Sequence, residues 1–151
     1  MQTMEPNATV IELHFNLNVI EDWPPVSIEG ILCTKILEGY RLESPPLFVK
    51  GLSVGDIISV EFDSVNNIKS WKILSHSSRT TIWILRTGPN DNIRPVLEGL
   101  KSLGCKSVEL SELGCYSVDV PAEVSIADAD TLLSSLDPSN AAAVFPSFRH
   151  N

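Results

Sequence analysis

Alternating apolar and polar positions fill the first half of the chain and predict short strands. From residue 8 to residue 18, apolar side chains alternate with polar ones, which is typical of a strand with one buried face. Further strand-like runs follow at residues 28–36, 40–42, 47–49, 56–62 and 68–75. Turn-forming residues separate these runs, and no helical period interrupts them. The pattern predicts a small antiparallel barrel or a strongly bent sheet, and thus a β-barrel-like N-terminal half.

The hydrophobic period changes after residue 79. A β-rich run at 80–86 precedes apolar residues at helical spacing from Ile93 to Leu103, which Gly104 ends. A second helix is predicted behind Ser125, which resembles an N-cap residue with Asp128 three positions later. The remaining runs, all strand-like, are 106–110, 116–120 and 142–148.

The resulting element order is β-α-β-β-α-β, the ferredoxin-like pattern. The sequence therefore predicts an α+β protein of two subdomains. Residues 1–78 form the barrel-like subdomain, and residues 79–151 form the ferredoxin-like one.

The charge is strongly acidic and unevenly placed. Eleven basic residues against nineteen acidic ones give a net charge of −8, and residues 107–148 contain no Lys or Arg. Such a region repels phosphate backbones and anionic membranes, so neither nucleic acid nor a membrane is an expected partner. It would attract a basic protein, although a solvated acidic surface that aids solubility is the plainer interpretation. The candidate partner-binding residues are Trp23, in an acidic Pro-rich loop, and Glu109, Glu112, Asp119, Glu123, Asp128 and Asp130.

Cysteine and histidine usage argues against metal sites and disulfides. The three cysteines show no CxxC spacing, which favours a reduced cytoplasm. The N-terminus has no secretory pattern, and no apolar stretch approaches the ~20 residues of a membrane span. His14, His76 and His150 are isolated in sequence, so no metal or cofactor is expected. His150, next to the C-terminus, is expected to be mobile.

A polar run at residues 76–81 is the strongest candidate for a ligand site. As an anion- or substrate-binding loop it would use His76 as acid or base, Ser77 and Ser78 as donors, and Arg79 as a carboxylate clamp. Thr81 would line the same site, and Asp56 or Asp63 could orient the histidine. The alternative is a polar connector between subdomains, whose hydroxyls satisfy backbone groups.

Known catalytic motifs are missing from the sequence. There is no Gly-x-Ser-x-Gly elbow for a Ser-His-Asp triad. Gly51 and Gly55 are not followed by the Lys-Ser/Thr of a phosphate-binding loop, so we interpret them as turn residues.

Two segments resemble a bacterial family known as domain of unknown function 4265. Pro46-Leu47-Phe48 and Gly55-Asp56 are similar to its first sequence element, and residues 75–83, which include Arg79, are similar to its second. The resemblance implies a bacterial cytosolic protein. It carries no known chemistry.

Three functions follow from these patterns. The first is a non-enzymatic binding protein that neutralises a basic, toxin-like partner through the acidic face, as immunity proteins do. The second is a small-molecule-binding or sensing module, or a modest enzyme, with its site at the subdomain junction near His76–Thr81. The third is a homodimer that packs through its sheet. The sequence leaves enzymatic activity open and favours a non-enzymatic protein.

Overall fold

The computed structural model describes residues 9–89 and 92–150, which form two antiparallel sheets and two α-helices. The strands are β1 (Thr9–Asn16), β2 (Ile28–Lys35), β3 (Tyr40–Leu42), β4 (Ile57–Phe62), β5 (Ile68–Ser75), β6 (Thr80–Arg86), β7 (Lys106–Leu110), β8 (Cys115–Val120) and β9 (Ala141–Ser147). The helices are α1 (Ile93–Leu103) and α2 (Ile126–Leu133), and a 3-10 turn spans Ser111–Leu113. These elements confirm the predicted α+β class.

The first five strands form an open sheet in the order β1-β2-β3-β4-β5. The sheet is therefore not a closed barrel, because β1 and β5 remain sheet edges. These edges meet through side chains, since the rings of Phe15 and Trp71 lie edge to face with centroids 6.1 Å apart. The two rings fill the space where a hydrogen-bonded ladder would close the sheet.

The predicted strand at residues 47–49 is a loop instead. Its backbone N–H groups at Leu47, Phe48 and Val49 all donate to the carboxylate of Glu29 on β2. Donors used by a side chain cannot enter a strand ladder, which explains the difference.

The second sheet has the strand order β7-β8-β6-β9, and both helices pack on one face of it. Ile82 and Ile84 of β6 belong to the core beneath the helices. Because side chains alternate along a strand, Thr81, Trp83 and Leu85 point to the opposite face. That second face lies against the first half of the chain and positions the candidate site.

The helix ends follow the predicted signals with one difference. Asp128 donates its backbone N–H to the Ser125 side chain at 3.2 Å, and Gly104 ends α1 in a left-handed conformation with φ 109°. Helix α2 stops at Leu133, whereas apolar residues at helical spacing behind Ser125 extend to Leu136. Ser134 and Ser135 follow it and hydrogen-bond through their hydroxyls to the preceding turn, which favours a helix end. Neither described helix is long and apolar enough to cross a membrane.

Candidate functional site: an apolar groove between the two sheets

A buried ion pair joins the end of the chain to the first half. Asp56 is fully buried, and its carboxylate accepts hydrogen bonds from Arg149 at 2.8 and 2.9 Å and from the backbone N–H groups of Ser53 and Ser77. Burial alone would raise the pKa of Asp56, but the Arg149 and backbone hydrogen bonds outweigh it and lower that pKa. The carboxylate therefore stays ionised and fixes the junction.

Hydroxyl groups form a second contact between the sheets. Ser53 Oγ lies 2.8 Å from Thr81 Oγ1 and 2.9 Å from Ser147 Oγ, and all three residues are buried. In the strand ladders Thr81 stands between Ser147 on β9 and Asp119 on β8. This row of the second sheet is covered by the first half.

The loop at residues 45–50 lies over the next row of the sheet and is held from two sides. The Pro46 carbonyl accepts hydrogen bonds from Trp83 Nε1 at 2.7 Å and from Ser117 Oγ at 2.6 Å. On its other side the Glu29 carboxylate accepts the N–H groups of Phe48 and Val49 at 2.9 and 3.0 Å. Burial raises the pKa of Glu29, against the opposing effect of these N–H donors. The loop is thus a fixed wall.

Beyond this loop the sheet face opens into an apolar groove of about 720 Å³. The ladders pair Trp83 with Val144, and Leu85 with both Cys115 and Ala142, so these five side chains form the floor. The walls come from the first half and comprise Leu47, Phe48 and Lys50 from the loop, with Leu17, Asn18, Ile20, Trp23 and Pro24 from the β1–β2 connection; Ile84 and Tyr116 complete the lining.

A two-residue hairpin turn forms one rim of the groove. Ile20 and Trp23 exchange backbone hydrogen bonds of 2.9 and 3.0 Å around Glu21 and Asp22, whose φ angles are 53° and 65°. Positive φ at both central residues is the type I′ pattern that usually requires Asn or Gly. The turn leaves Trp23 51% exposed, and its ring lies edge to face with that of Phe48 at 6.0 Å.

The predicted ligand-binding run at residues 76–81 does not line this groove. Ser77 donates its N–H to Asp56 and its hydroxyl to the Val54 carbonyl, while Arg79 forms three hydrogen bonds with Asp119. Thr81, the buried side chain of this run, contacts the hydroxyl group of Ser53 described above. His76 and Ser78 are exposed. The contacts of Ser77, Arg79 and Thr81 are those of a connector between the sheets.

The predicted acidic residues divide into two groups. Asp119 is 2% exposed and bound by Arg79, so it does not belong to an exposed face, while Glu109 pairs with Arg94 at 3.1 Å. The remaining four predicted carboxylates are exposed, at Glu112, Glu123, Asp128 and Asp130. Trp23 lies apart from this set, at the groove.

His150 forms hydrogen bonds through both ring nitrogens. Its Nδ1 lies 2.6 Å from Thr80 Oγ1, and its Nε2 lies 3.0 Å from the Pro121 carbonyl oxygen. Neighbouring Arg149 holds the same end of the chain, as described above. Two polar anchors on adjacent residues fix a terminus that its sequence position alone suggests is free.

The three cysteines are buried thiols, and the described residues offer no cluster suited to a metal ion. Cys33, Cys105 and Cys115 are free and buried. Burial raises the pKa of all three thiols, to about 12 for Cys33 and about 11 for Cys105. Across residues 9–89 and 92–150, His, Cys, Asp and Glu side chains form no cluster of three or more suited to a metal ion.

Apart from Trp23, the sequence did not indicate the residues that build the groove. Glu29 gave no signal because a carboxylate in an alternating strand is normally exposed, yet it is 8% exposed here. Phe48 and Lys50 were assigned to a strand and its flank. The Pro45-Pro46 pair was the available signal, since a proline has no N–H group to donate to a strand ladder and so favours a loop.

The fold and groove define a two-sheet α+β protein with an apolar site at the sheet junction. The family described as "Domain of unknown function (DUF4265)" matches residues 29–143, and the chain belongs to this family. This confirms the resemblance seen in the sequence. No curated protein matches the chain.

A solved structure shows a similar fold. A hypothetical protein from Neisseria gonorrhoeae aligns with 98% of this chain and 100% of its own at a TM-score of 0.68 and 13% identity. At that identity the likeness concerns the fold alone.

Proposed function

We propose that this protein is a non-enzymatic, small-molecule-binding protein whose ligand occupies the groove between the sheets. The observation that carries the proposal is a groove of about 720 Å³ whose floor and rim are built from Trp83, Phe48, Trp23 and aliphatic side chains. Small-molecule sites are commonly apolar clefts of roughly 300–1,000 Å³ with few polar groups, and they favour junctions between structural units.

The groove is largely formed before any ligand arrives. The Pro46 carbonyl is held by Trp83 and Ser117, and Glu29 holds the backbone on the other side of the same loop. A wall fixed by several hydrogen bonds lowers the ordering cost that a ligand would otherwise meet on binding.

The chemistry of the lining favours binding over catalysis. Among the described residues that line the groove there is no carboxylate and no imidazole to act as a general acid or base. Cys115 is on the floor, but burial raises the pKa of its thiol. A protonated thiol is a poor nucleophile at neutral pH.

The proposal can be tested with an uncharged fluorescent probe, N-phenyl-1-naphthylamine. We expect a saturable rise in fluorescence with one probe per chain. Ala142→Trp places a large ring on the groove floor and should abolish the rise. Leu37→Trp is the matched control, because Leu37 is 97% exposed and outside the groove. A wild-type protein without saturable binding, or equal binding by Ala142→Trp, contradicts the proposal.

A second candidate is the immunity-type protein, which binds a basic partner through acidic side chains. Its support is the exposure of Glu112, Glu123, Asp128 and Asp130 in a segment without Lys or Arg. Converting Glu123 and Asp128 to Lys should slow association with a cationic toxin encoded beside this protein, most strongly at low salt. Asp63→Lys, in the exposed β4–β5 turn, is the matched control. An unchanged association rate argues against this candidate.

We also propose a ferredoxin-like arrangement for residues 79–151 and a bacterial cytoplasmic location. The strand order β7-β8-β6-β9 with helices between the strands supports the first. Three buried free cysteines support the second.

A further inference from the structure

We propose that the ligand of the groove is an amphipathic monocarboxylate, with its apolar body on the Trp83 floor and its carboxylate at Lys50. This inference rests on the proposed function above. Lys50 is the charged residue among the described lining residues, and it belongs to the loop that forms one wall. A single cation beside a largely apolar surface selects a molecule with one anionic end.

Its position distinguishes Lys50 from the other basic residues, because no other Lys or Arg of the described residues lines the groove. Arg41, Arg79, Arg94 and Arg149 each pair with a carboxylate of this chain. Within residues 9–89 and 92–150, no carboxylate pairs with Lys50, and its side chain is exposed. Because the protein has a net charge of −8, its overall electrostatic potential does not attract an anion. Attraction must come from a local cation such as this one.

The geometry of the wall places this cation reproducibly. Lys50 follows Val49, whose N–H group is bound by the buried carboxylate of Glu29 at 3.0 Å. The backbone beside the lysine is therefore fixed, while its long side chain remains free to reach a ligand. A lysine acts as a compact point charge, and one lysine balances one negative charge. A singly charged head group is the better match.

The remaining lining defines the other end of the ligand. The floor offers Trp83, Leu85, Ala142 and Val144, and the Trp23–Phe48 ring pair forms the rim. Such a surface gains free energy in proportion to the apolar area it covers. An extended or branched hydrocarbon body satisfies it, with the head group in water beside Lys50.

The test uses linear carboxylates from hexanoate to dodecanoate, which displace N-phenyl-1-naphthylamine, together with the matching alcohols. We expect the Kd of the carboxylates to fall about fourfold for each added methylene, the equivalent of about 0.8 kcal/mol, until the groove is filled. Each alcohol should bind about fivefold more weakly than its carboxylate at low salt, and added salt should narrow this gap.

Two lysine variants assign the head-group preference. Lys50→Gln should remove the gap, so that each carboxylate and its matching alcohol bind with equal Kd. Lys69→Gln is the matched control, because Lys69 is an exposed residue of β5 outside the groove. It should keep the difference in Kd between carboxylate and alcohol.

Each failure has a distinct meaning. Equal binding of carboxylates and alcohols, a gap that survives in Lys50→Gln, or affinity that ignores chain length overturns the carboxylate assignment, and the proposed function stands while the uncharged probe still binds. A wild-type protein that binds neither probe nor carboxylate overturns both.

Discussion

Arg149 and Asp56, 93 residues apart in the chain, form a two-pronged ion pair in which Nη1–Oδ1 is 2.8 Å and Nη2–Oδ2 is 2.9 Å. The Asp56 side chain has no solvent exposure, and the Arg149 side chain is 14% exposed. The same guanidinium also donates to the carbonyls of Gly51 and Ser77. One side chain thus joins the C-terminal segment to two loops of the first half.

Removing this arginine should destabilise the whole protein. Arg149→Gln leaves the Asp56 carboxylate buried without its counter-charge, and we expect the free energy of unfolding to fall by about 3 kcal/mol. Arg41→Gln is the control, because the Arg41–Glu43 side chains are 41% and 34% exposed and such pairs contribute less than about 1 kcal/mol. Urea unfolding measures both. Equal losses would show that burial of the pair is unimportant.

The lowered pKa of Asp56 predicts a defined acid sensitivity. Burial acts to raise that pKa, and the hydrogen bonds from Arg149, Ser77 and Ser53 bring it below its ordinary 3.8. The stability this group contributes is complete above pH 3.8 and is lost as the pH falls through the lower folded-state value. The stability difference between wild type and Asp56→Asn should therefore shrink below about pH 4 in urea titrations. A difference that is constant down to about pH 2 would contradict the shift.

Two glycines offer a matched test of steric space. Gly55 and Gly51 both have left-handed φ angles, 86° and 82°. A Cβ at Gly55 would lie 3.0 Å from Ser77 Cβ, whereas a Cβ at Gly51 would meet no atom within 4 Å. Both alanine variants should lose about 1 kcal/mol to backbone strain, and Gly55→Ala should lose more because of the contact. Equal melting temperatures for the two variants would refute the steric contribution.

The groove wall depends on the carboxyl group of Glu29, which binds the backbone of the loop. In Glu29→Gln an amide NH₂ group faces a backbone N–H, so we expect a loss of about 1–2 kcal/mol and weaker binding of the naphthylamine probe. Burial raises the pKa of Glu29 above 4.5, so its stabilising contribution is complete below pH 4.5 and is lost as the pH rises through the folded-state value. The difference in the free energy of unfolding between wild type and Glu29→Gln should therefore become smaller as the pH rises. Glu38→Gln, in an exposed turn, serves as control.

The hairpin turn at the groove rim should tolerate glycine better than its native residue. Asp22 has a φ of 65°, which costs an L-residue strain that glycine avoids, so Asp22→Gly should gain about 0.5 kcal/mol in urea unfolding. Asn66 has a φ of 66°, and asparagine adopts this region readily. Asn66→Gly should therefore gain less. A loss for Asp22→Gly larger than that for Asn66→Gly would count against strain at the rim.

Local patterns in the sequence predicted most of the regular structure. Strands β5, β6 and β7 and helix α1 have the bounds that the apolar periods indicated, because each depends on neighbours within one element. The Ser125 cap and the Gly104 helix end are likewise set by adjacent residues. Short-range signals of this kind need no knowledge of the tertiary fold.

The site could not be predicted because long-range contacts build it. Strand β8 is buried at every position, since helices cover one face and the first half covers the other. An acidic residue in an alternating strand normally faces water, so Asp119 was assigned to a surface. It pairs instead with Arg79, 40 residues away. The hydrogen bonds of Glu29 that shape the wall join residues 18 to 20 positions apart. Such contacts produce no periodic pattern of apolar residues in the sequence.

The floor of the groove comes from strands β6, β8 and β9, and its walls come from residues before β4. A bound molecule would consequently brace two parts of the protein that meet there mainly through hydrogen bonds from Trp83 and Ser117 to one carbonyl. Because ligand that binds only the assembled form stabilises it by mass action, occupancy should make both sheets melt in a single, later transition.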